Sequence, residues 1–505
     1  MKNLFFCSKE YGCSFSEIKI CLNKTVLILL MLAAILYSCD DTILERKGER
    51  LLAFSNDTIS FDTVFTNVGS VTNKLLVYNN SNKERTIQSI RLANTNSMFF
   101  KINVDGSFNP KGIYNEITIR PHDSLYIFIS VRIDPNNSNQ PIIVEDSIIF
   151  TYPESSQKVM LRAIGQNVIL LKSHRFKSDT TLTDTKPYLV WGDLMVDSAK
   201  TLTINPGCKF YFHNNASIRV NGQLQALGTY EKPILMKGDR RDTVRFGTPF
   251  PYDNLWGQWG GIFLKASKLS HRISHVFMNG GTNGIVLINP DMSITPSLVI
   301  ENSRIHNFSQ SGLRVQNCNV DVSNTEISNT GSNSVYIKGG KNSFIHCTIA
   351  NFFNNSKFSG LINTSREKIP AVLLMDLERC IPMESIFQNC IITGSYDDEL
   401  SIATLFPEKY NASFESNYIR KKSPILTTYF KNTIWWNKND TVFKSVYYNY
   451  LTNQYFDFKL DSVSKVRGVA DKTIATKYTL DLLGNNRMIG NSPDLGAYQW
   501  QPSKK

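Results

Sequence analysis

One phrase recurs along this chain at a fixed interval, and it restricts the fold more than any other feature. Ile300-Glu301-Asn302-Ser303-Arg304-Ile305-His306-Asn307 returns 22 residues later as Val322-Ser323-Asn324-Thr325-Glu326-Ile327-Ser328-Asn329, and after another 22 as Phe344-Ile345-His346-Cys347-Thr348-Ile349-Ala350-Asn351. Two later copies, on Phe387, Asn389, Cys390 and Ile392 and on Phe430, Asn432, Thr433 and Trp435, keep the internal spacing at intervals of 43. A fixed period of about 20 to 50 residues marks a repeat architecture whose stacked units share one core. Within each unit apolar residues alternate, as in Leu313-Arg314-Val315 and Val320-Asp321-Val322, which places them on one face of a strand. A coil of about 22 residues holds three short strands and three turns, the circuit of a parallel β-helix.

Equivalent residues of successive coils then lie about 4.8 Å apart. Asn302, Asn324, His346, Asn389 and Asn432 are expected to form a structural ladder at one turn, where side-chain amides satisfy one another and the turn backbone. The small Ser303, Thr325, Cys347, Cys390 and Thr433 that follow suit an inward stack at a tight corner. Ile305, Ile327, Ile349, Ile392 and Trp435 are expected to fill the core.

The 505 residues, 42% hydrophobic and 19% charged, suffice for more than one core. Lys19 and Lys24 precede an apolar run over 25–36 that is short for a membrane span and has the layout of a secretory leader. Leu36-Tyr37-Ser38-Cys39 resembles a bacterial lipoprotein lipobox, with Tyr37 bulkier than usual. The resemblance implies a signal peptide over 1–38, lipidation of Cys39, a lipidated tether over 39–50, and the outer membrane of a Gram-negative envelope, facing the periplasm or the exterior. Loss of the leader lowers the formal charge from +12 to about +10, a balance that favours anionic partners. Lys and Arg are scattered, with no dense basic run interleaved with aromatics, so nucleic acid is not the expected partner. Five cysteines follow the lipobox: Cys208, Cys318, Cys347, Cys380 and Cys390. They lack CxxC spacing and cannot all pair, so neither a zinc site nor a disulfide framework is expected.

Residues 51–167 read as short alternating strands separated by turns, the pattern of an antiparallel β-sandwich. Val77-Tyr78-Asn79-Asn80 and Ile119-Arg120-Pro121-His122-Asp123-Ser124 resemble immunoglobulin-like domains of the major-sperm-protein and choice-of-anchor type. That likeness implies a spacer or a protein-binding module. A linker is expected over 168–187.

The helix is expected over 188–500. Its entry reads Leu202-Thr203-Ile204-Asn205-Pro206-Gly207-Cys208, then Val220-Asn221-Gly222-Gln223-Leu224-Gln225-Ala226-Leu227-Gly228, then Trp256-Gly257-Gln258-Trp259-Gly260-Gly261. These segments resemble the opening coils of right-handed single-stranded parallel β-helices of the pectate-lyase-like superfamily. Phe456-Asp457-Phe458 and Asp494-Leu495-Gly496-Ala497-Tyr498 resemble the strands that close such a stack. The period breaks at 237–255 and 354–385, and insertions in a solenoid often form its binding face. Candidate ligand residues are therefore Arg240 and Arg241 in the first insertion and Asp376, Glu378 and Arg379 in the second. Trp256 and Trp259 offer faces for sugar stacking, but packing in core or turn is the preferred reading of both.

The likeness also raises catalysis. A polysaccharide lyase needs a base and commonly calcium held by carboxylates, and a glycoside hydrolase needs paired carboxylates. Equivalent positions here carry Glu301, Ser323 and Ile345, or Arg304, Glu326 and Thr348, with no Asp/Asp pair. Asp321 and Glu326 read as solitary, solvated carboxylates. No catalytic residue, metal or cofactor is assigned, calcium entering only with a lyase. The expectation is a lipid-anchored envelope protein that binds an anionic glycan or an envelope protein. The alternatives are a polysaccharide lyase or hydrolase acting on an acidic polysaccharide, and a structural scaffold or adhesin.

Overall fold

The computed structural model of the chain describes residues 52–94, 99–136, 138–246, 248–265, 268–290, 292, 297–353, 369–376, 380–405, 411–422, 427–447, 456–488 and 492–502. The leader, Cys39 and the tether, together with Glu378 and Arg379, lie outside the described residues.

The protein is all-β, an amino-terminal sandwich followed by a parallel β-helix. One sandwich sheet orders strands 53–54, 73–78, 124–131, 100–104 and 107–108, and the other orders 58–65, 156–166, 142–151, 85–92 and 113–119. Alternation builds it: Leu125, Ile127, Ile129 and Val131 point inward from one strand while Tyr126 and Phe128 point outward. The pairs are antiparallel, except that 156–166 runs parallel to 58–65.

Strand 156–166 is followed almost at once by the helix. The expected linker over 168–187 is in fact the first coil: Ile169–Lys172 pairs with Tyr188–Trp191, Arg175–Phe176 with Leu194–Val196, and Thr180–Leu182 with Thr201–Ile204, all parallel. Its strands are only two to four residues long, too short for their alternation to stand out in the sequence. Coils stack from there into three parallel sheets of eleven, nine and ten strands, here the first, second and third in the order the chain visits them. Sandwich and helix meet where the Phe65 ring packs on Tyr211 at 4.8 Å, beside the buried Leu189.

The two intervals of 43 hide different things. Between Phe344 and Phe387 there is one coil, since the strands that carry them are direct neighbours. Between Phe387 and Phe430 there are two, because Phe414 stands between them. The four rings form a continuous inward column, with centroids 4.6, 5.0 and 4.7 Å apart. Ile305, Ile327, Ile349 and Ile392 are fully buried as expected, and Ile419 belongs with them. Trp435 is 39% exposed, since its strand is the last of the sheet and no coil among the described residues covers it.

From His275 onward, the turn at the corner between third and first sheets is one or two residues long. Its first residue has a left-handed backbone: Asn302 (φ 48°), Asn324 (47°), His346 (51°), Asn389 (54°) and Asn432 (51°), joined by His275 (51°) and Ser416 (56°). Asn adopts this conformation more readily than most residues, which is why it recurs here. The small residue after it faces inward and links coils. Ser303, Thr325, Cys347 and Cys390 each donate to the carbonyl two residues back. Ser303, Thr325 and Cys390 also accept the N–H of Val276, Ser303 and Cys347 on the preceding coil. Cys208, Cys318, Cys347 and Cys390 form no disulfide and are buried, so they serve as small polar corner and core residues.

The carboxy-terminal segment does not close the stack as its final strand. Phe443–Ser445 and Asp457–Leu460 form a two-stranded antiparallel hairpin, and with residues up to Tyr498 they lie along the outer face of the first sheet. Phe458, Leu460, Val466, Leu495 and Ala497 bury there against Ala350, Ile391 and Tyr418. The ladder holds this strap: Asn389 exchanges two hydrogen bonds with the Asp471 backbone, 2.8 and 3.0 Å long. Asn324 donates to the Leu480 carbonyl and accepts from the buried Arg487. A ladder amide that supports a turn on one side is thus a docking point on the other.

Candidate functional site

Outward side chains of the first and second sheets meet different surroundings. On the second sheet pairs of them stay accessible: the Arg219 guanidinium lies 4.5 Å from the Phe263 ring centroid on the next coil, and Arg314 lies 5.2 Å from that of Tyr336, with Val286 buried between Phe263 and Arg314. On the first sheet, from Phe277 onward, the strap covers them. Glu326, expected at the solvated surface, is 1% exposed. Its carboxylate accepts from Tyr498 and Ser328 and pairs with Arg304 at 3.3 Å, and His306 reaches the same Ser328 hydroxyl at 2.8 Å. Burial opposes charge on Glu326, but Arg304 and these donors outweigh it and hold the carboxyl well below its usual range. Burial also lowers His306 and raises Tyr498. The constellation is an ion pair whose Glu326 end is buried under Tyr498 while Arg304 keeps partial solvent contact, and it fastens the strap.

Where the strap ends, the same face opens into a cavity of about 790 Å³ at the distal coils. Its walls come from residues leaving the first sheet on successive coils: Phe352, Thr393 and Asp397, Arg420 and Lys422, then Trp436, Lys438 and Asp440. Val442 and Phe443 of the strap supply apolar wall. The Arg420 guanidinium stacks 4.1 Å from the Trp436 centroid, donates to the Gly394 carbonyl at 2.7 Å and pairs with Asp397 at 3.1 Å. Asp440 accepts from Tyr418 (3.0 Å), the Asn437 N–H (2.7 Å) and Lys465 (2.6 Å). Burial works to raise the Asp440 carboxyl, but Lys465 and the other donors hold it lower, while burial and Asp440 push the Tyr418 hydroxyl upward. Three cations, an indole and an apolar wall thus surround one opening, where Arg420 and Lys422 are paired with Asp397, Asp440 is engaged by Lys465, and Arg420 covers one face of the indole.

The residues expected to bind ligand do not converge. Trp259 is fully buried: its ring stacks on Phe212 at 4.5 Å and its indole N–H donates to the Asn279 carbonyl at 2.9 Å, so it is core. Trp256 packs edge-on against Phe353 at 4.9 Å. Arg240 makes a two-pronged bond to Asp242 and lies 3.7 Å from the Tyr252 centroid. Arg241 joins Lys237 around Asp253. The first insertion is therefore an internally paired loop, and Asp253 and Asn254 accept from Asn279 and Asn307 of the first sheet. The stretch 354–385 is not one insertion: Val372–Asp376 is a second-sheet strand and Met383–Gln388 begins the next third-sheet strand. Asp376, at the end of that strand, is buried and stands at a different corner from Arg240 and Arg241. Sequence reasoning missed Arg420, Lys422, Trp436 and Lys438. The signal was Arg420-Lys421-Lys422 and Trp435-Trp436-Asn437-Lys438, two short clusters 16 residues apart.

Among the described residues no group of three or more His, Cys, Asp or Glu could hold a metal ion, and no helix is long and apolar enough to cross a membrane. No family model matches the chain. A segment of 107 residues, 21% of the chain, is 37% identical to the protein bark beetle of Drosophila melanogaster, of which it spans 3%. Among solved structures, a family 123 glycoside hydrolase from Clostridium perfringens is similar over 24% of this chain and 30% of its own (13% identity, TM-score 0.18). The PapD-like domain 7 of human CEP192 is similar over 26% of this chain and 96% of its own (11% identity, TM-score 0.16). Overlaps this short and low-scoring carry no argument about function.

Proposed function

We propose that this chain is an envelope lipoprotein, lipidated at Cys39 and carried on the outer membrane of a Gram-negative bacterium. In this reading an immunoglobulin-like sandwich presents a pectate-lyase-like β-helix that binds an acidic glycan without cleaving it. The observation that carries the binding reading is the distal cavity, where Trp436 offers a ring for sugar stacking among Arg420, Lys422 and Lys438. The state of its carboxylates favours binding over hydrolysis. A general acid works with a raised pKa, whereas Asp440 is held low and Asp397 is paired with Arg420.

The test is an array of acidic and neutral glycans probed with the protein beginning after Cys39, alongside assays for new reducing ends and unsaturated uronates. Retention of acidic glycans without product is expected. Trp436→Ala or Lys438→Ala should weaken it about tenfold, roughly 1.4 kcal/mol. Turnover would return the molecule to the lyase or hydrolase class. Absence of both signals would leave the scaffold reading.

A further inference from the structure

The sandwich has one face whose composition matches neither a core nor an ordinary solvated surface. On the sheet formed by strands 73–78, 124–131 and 100–104 with the short 107–108, Tyr126 is 41% exposed, Phe128 39% and Phe108 59%. Register makes them one patch. Phe128 is flanked across the sheet by Lys74 on one neighbouring strand and Asn103 on the other, and Asn103 is paired with Phe108. The Tyr126 and Phe128 rings run nearly parallel, 6.5 Å apart, and the Lys74 ammonium lies 5.1 Å from the Tyr126 centroid. Lys101 adds a second exposed cation. The strands 73–78, 100–104 and 124–131 contain no Asp or Glu, whereas the opposite sheet carries both signs, Asp62, Glu116 and Glu145 beside Arg85, Arg91, Lys158 and Arg162. The two faces of one sandwich therefore differ in exposed aromatic surface, and only on the aromatic face do the longer strands carry cations without carboxylates.

From this asymmetry we infer that the Tyr126/Phe128/Phe108 face is a membrane-contact surface that rests on the headgroup layer of an anionic bilayer. Phenylalanine has no polar handle for sugar hydroxyls, and the acidic residue in the turn between strands 100–104 and 107–108, Asp105, is a single carboxylate, so the face is poorly equipped for a glycan. Aromatic rings at the lipid–water boundary with lysines reaching to phosphate match its composition. The length of chain ahead of it agrees. Only residues 40–51 separate Cys39 from the first described residue, and twelve residues span at most about 43 Å when fully extended. A sandwich on so short a tether stays within reach of the bilayer that holds the lipid. The inference rests on the lipoprotein reading above.

The full chain is reconstituted in nanodiscs of phosphatidylglycerol and phosphatidylcholine, in discs of phosphatidylcholine alone, and in detergent, and amide hydrogen exchange is followed by mass spectrometry. Exchange over 74–78, 100–108 and 124–131 is expected to slow at least threefold in the anionic discs relative to detergent, and less in the zwitterionic ones. The variant Lys74→Glu/Phe108→Ser/Phe128→Ser should lose that protection. Its substitutions are all at exposed positions, and an unchanged melting temperature verifies that the fold is kept. Equal exchange in all three environments overturns the inference. So does protection that appears only on adding polygalacturonate and ignores lipid charge, which makes the face a glycan site. Fractionation of cells expressing Cys39→Ser is read separately: a variant that stays in the membrane overturns lipidation as the anchor, whereas unprotected strands in the discs overturn this inference alone.

Discussion

The outer faces of the first and second parallel sheets are built on the same alternation, yet one is sealed and the other open. Arg314 and Tyr336 on the second sheet look outward, and nothing among the described residues covers them. Glu326 and His306 on the first sheet have the same local geometry and are buried. The difference is made by the strap, which contributes Tyr498 from 172 residues away. Strand alternation separates inside from outside only for the stack itself. A later segment of chain can convert an outward position into core, and then a charged residue there must be paired.

The contrast is open to direct attack. Glu326→Leu should do most harm, because it leaves the Arg304 guanidinium and the Tyr498 hydroxyl beneath the strap without their acceptor. Arg304 keeps partial solvent contact, so about 3 kcal/mol of unfolding free energy, the lower end for a broken buried pair, is expected in urea titrations. Asn324→Ala should cost about 2 kcal/mol, from an unfavourable left-handed backbone and lost strap bonds. Asn324→Gly should recover the backbone share only, so a glycine variant as unstable as alanine would locate the whole effect in the strap.

Acidification comes next. Burial lowers His271, His275, His306 and His346 below the ordinary 6.5. Below that value the unfolded chain binds protons that the folded one does not, so stability falls as the pH drops. His346→Asn keeps a ladder-compatible residue and should remove about 1 kcal/mol of the loss between pH 7 and 5.5, seen as a flatter melting profile. Arg314→Ala on the open face should change stability by no more than about 0.5 kcal/mol. A larger effect would mean that the second sheet is covered too.

The stack was legible because its information is local. Asn324, Thr325 and Ile327 each obey a rule that holds inside one coil, and the rule repeats every 22 residues. Where coil length changes, the same rule is harder to see. Ser416 does the work of an Asn at the ladder, and the coil carrying Phe414 vanished into an interval of 43. Phe456-Asp457-Phe458 resembles the strand that closes such a stack, and a resemblance of a short alternating segment does not say which strand it will lie against. The distal cavity depends on four stretches of chain around 352, 397, 420 and 436, brought level only by stacking. Trp259 illustrates the converse, since its sequence context does not distinguish a sugar platform from a core ring.

The strap also fixes an order of events during synthesis. Tyr230 donates to the Asp481 carbonyl across 251 residues, and Ala497 donates to Thr348 across 149. Coils can stack as they emerge, each on the one before, because their contacts are between neighbours. The first-sheet face cannot close until the segment beyond residue 440 has been made. A chain of this kind passes through a stage with its stack assembled and one long side still wet, with Glu326 in water and Ile391 bare. Until the segment beyond residue 440 docks, the surface around Ala350, Ile391 and Tyr418 is open to association, and docking of the strap removes it.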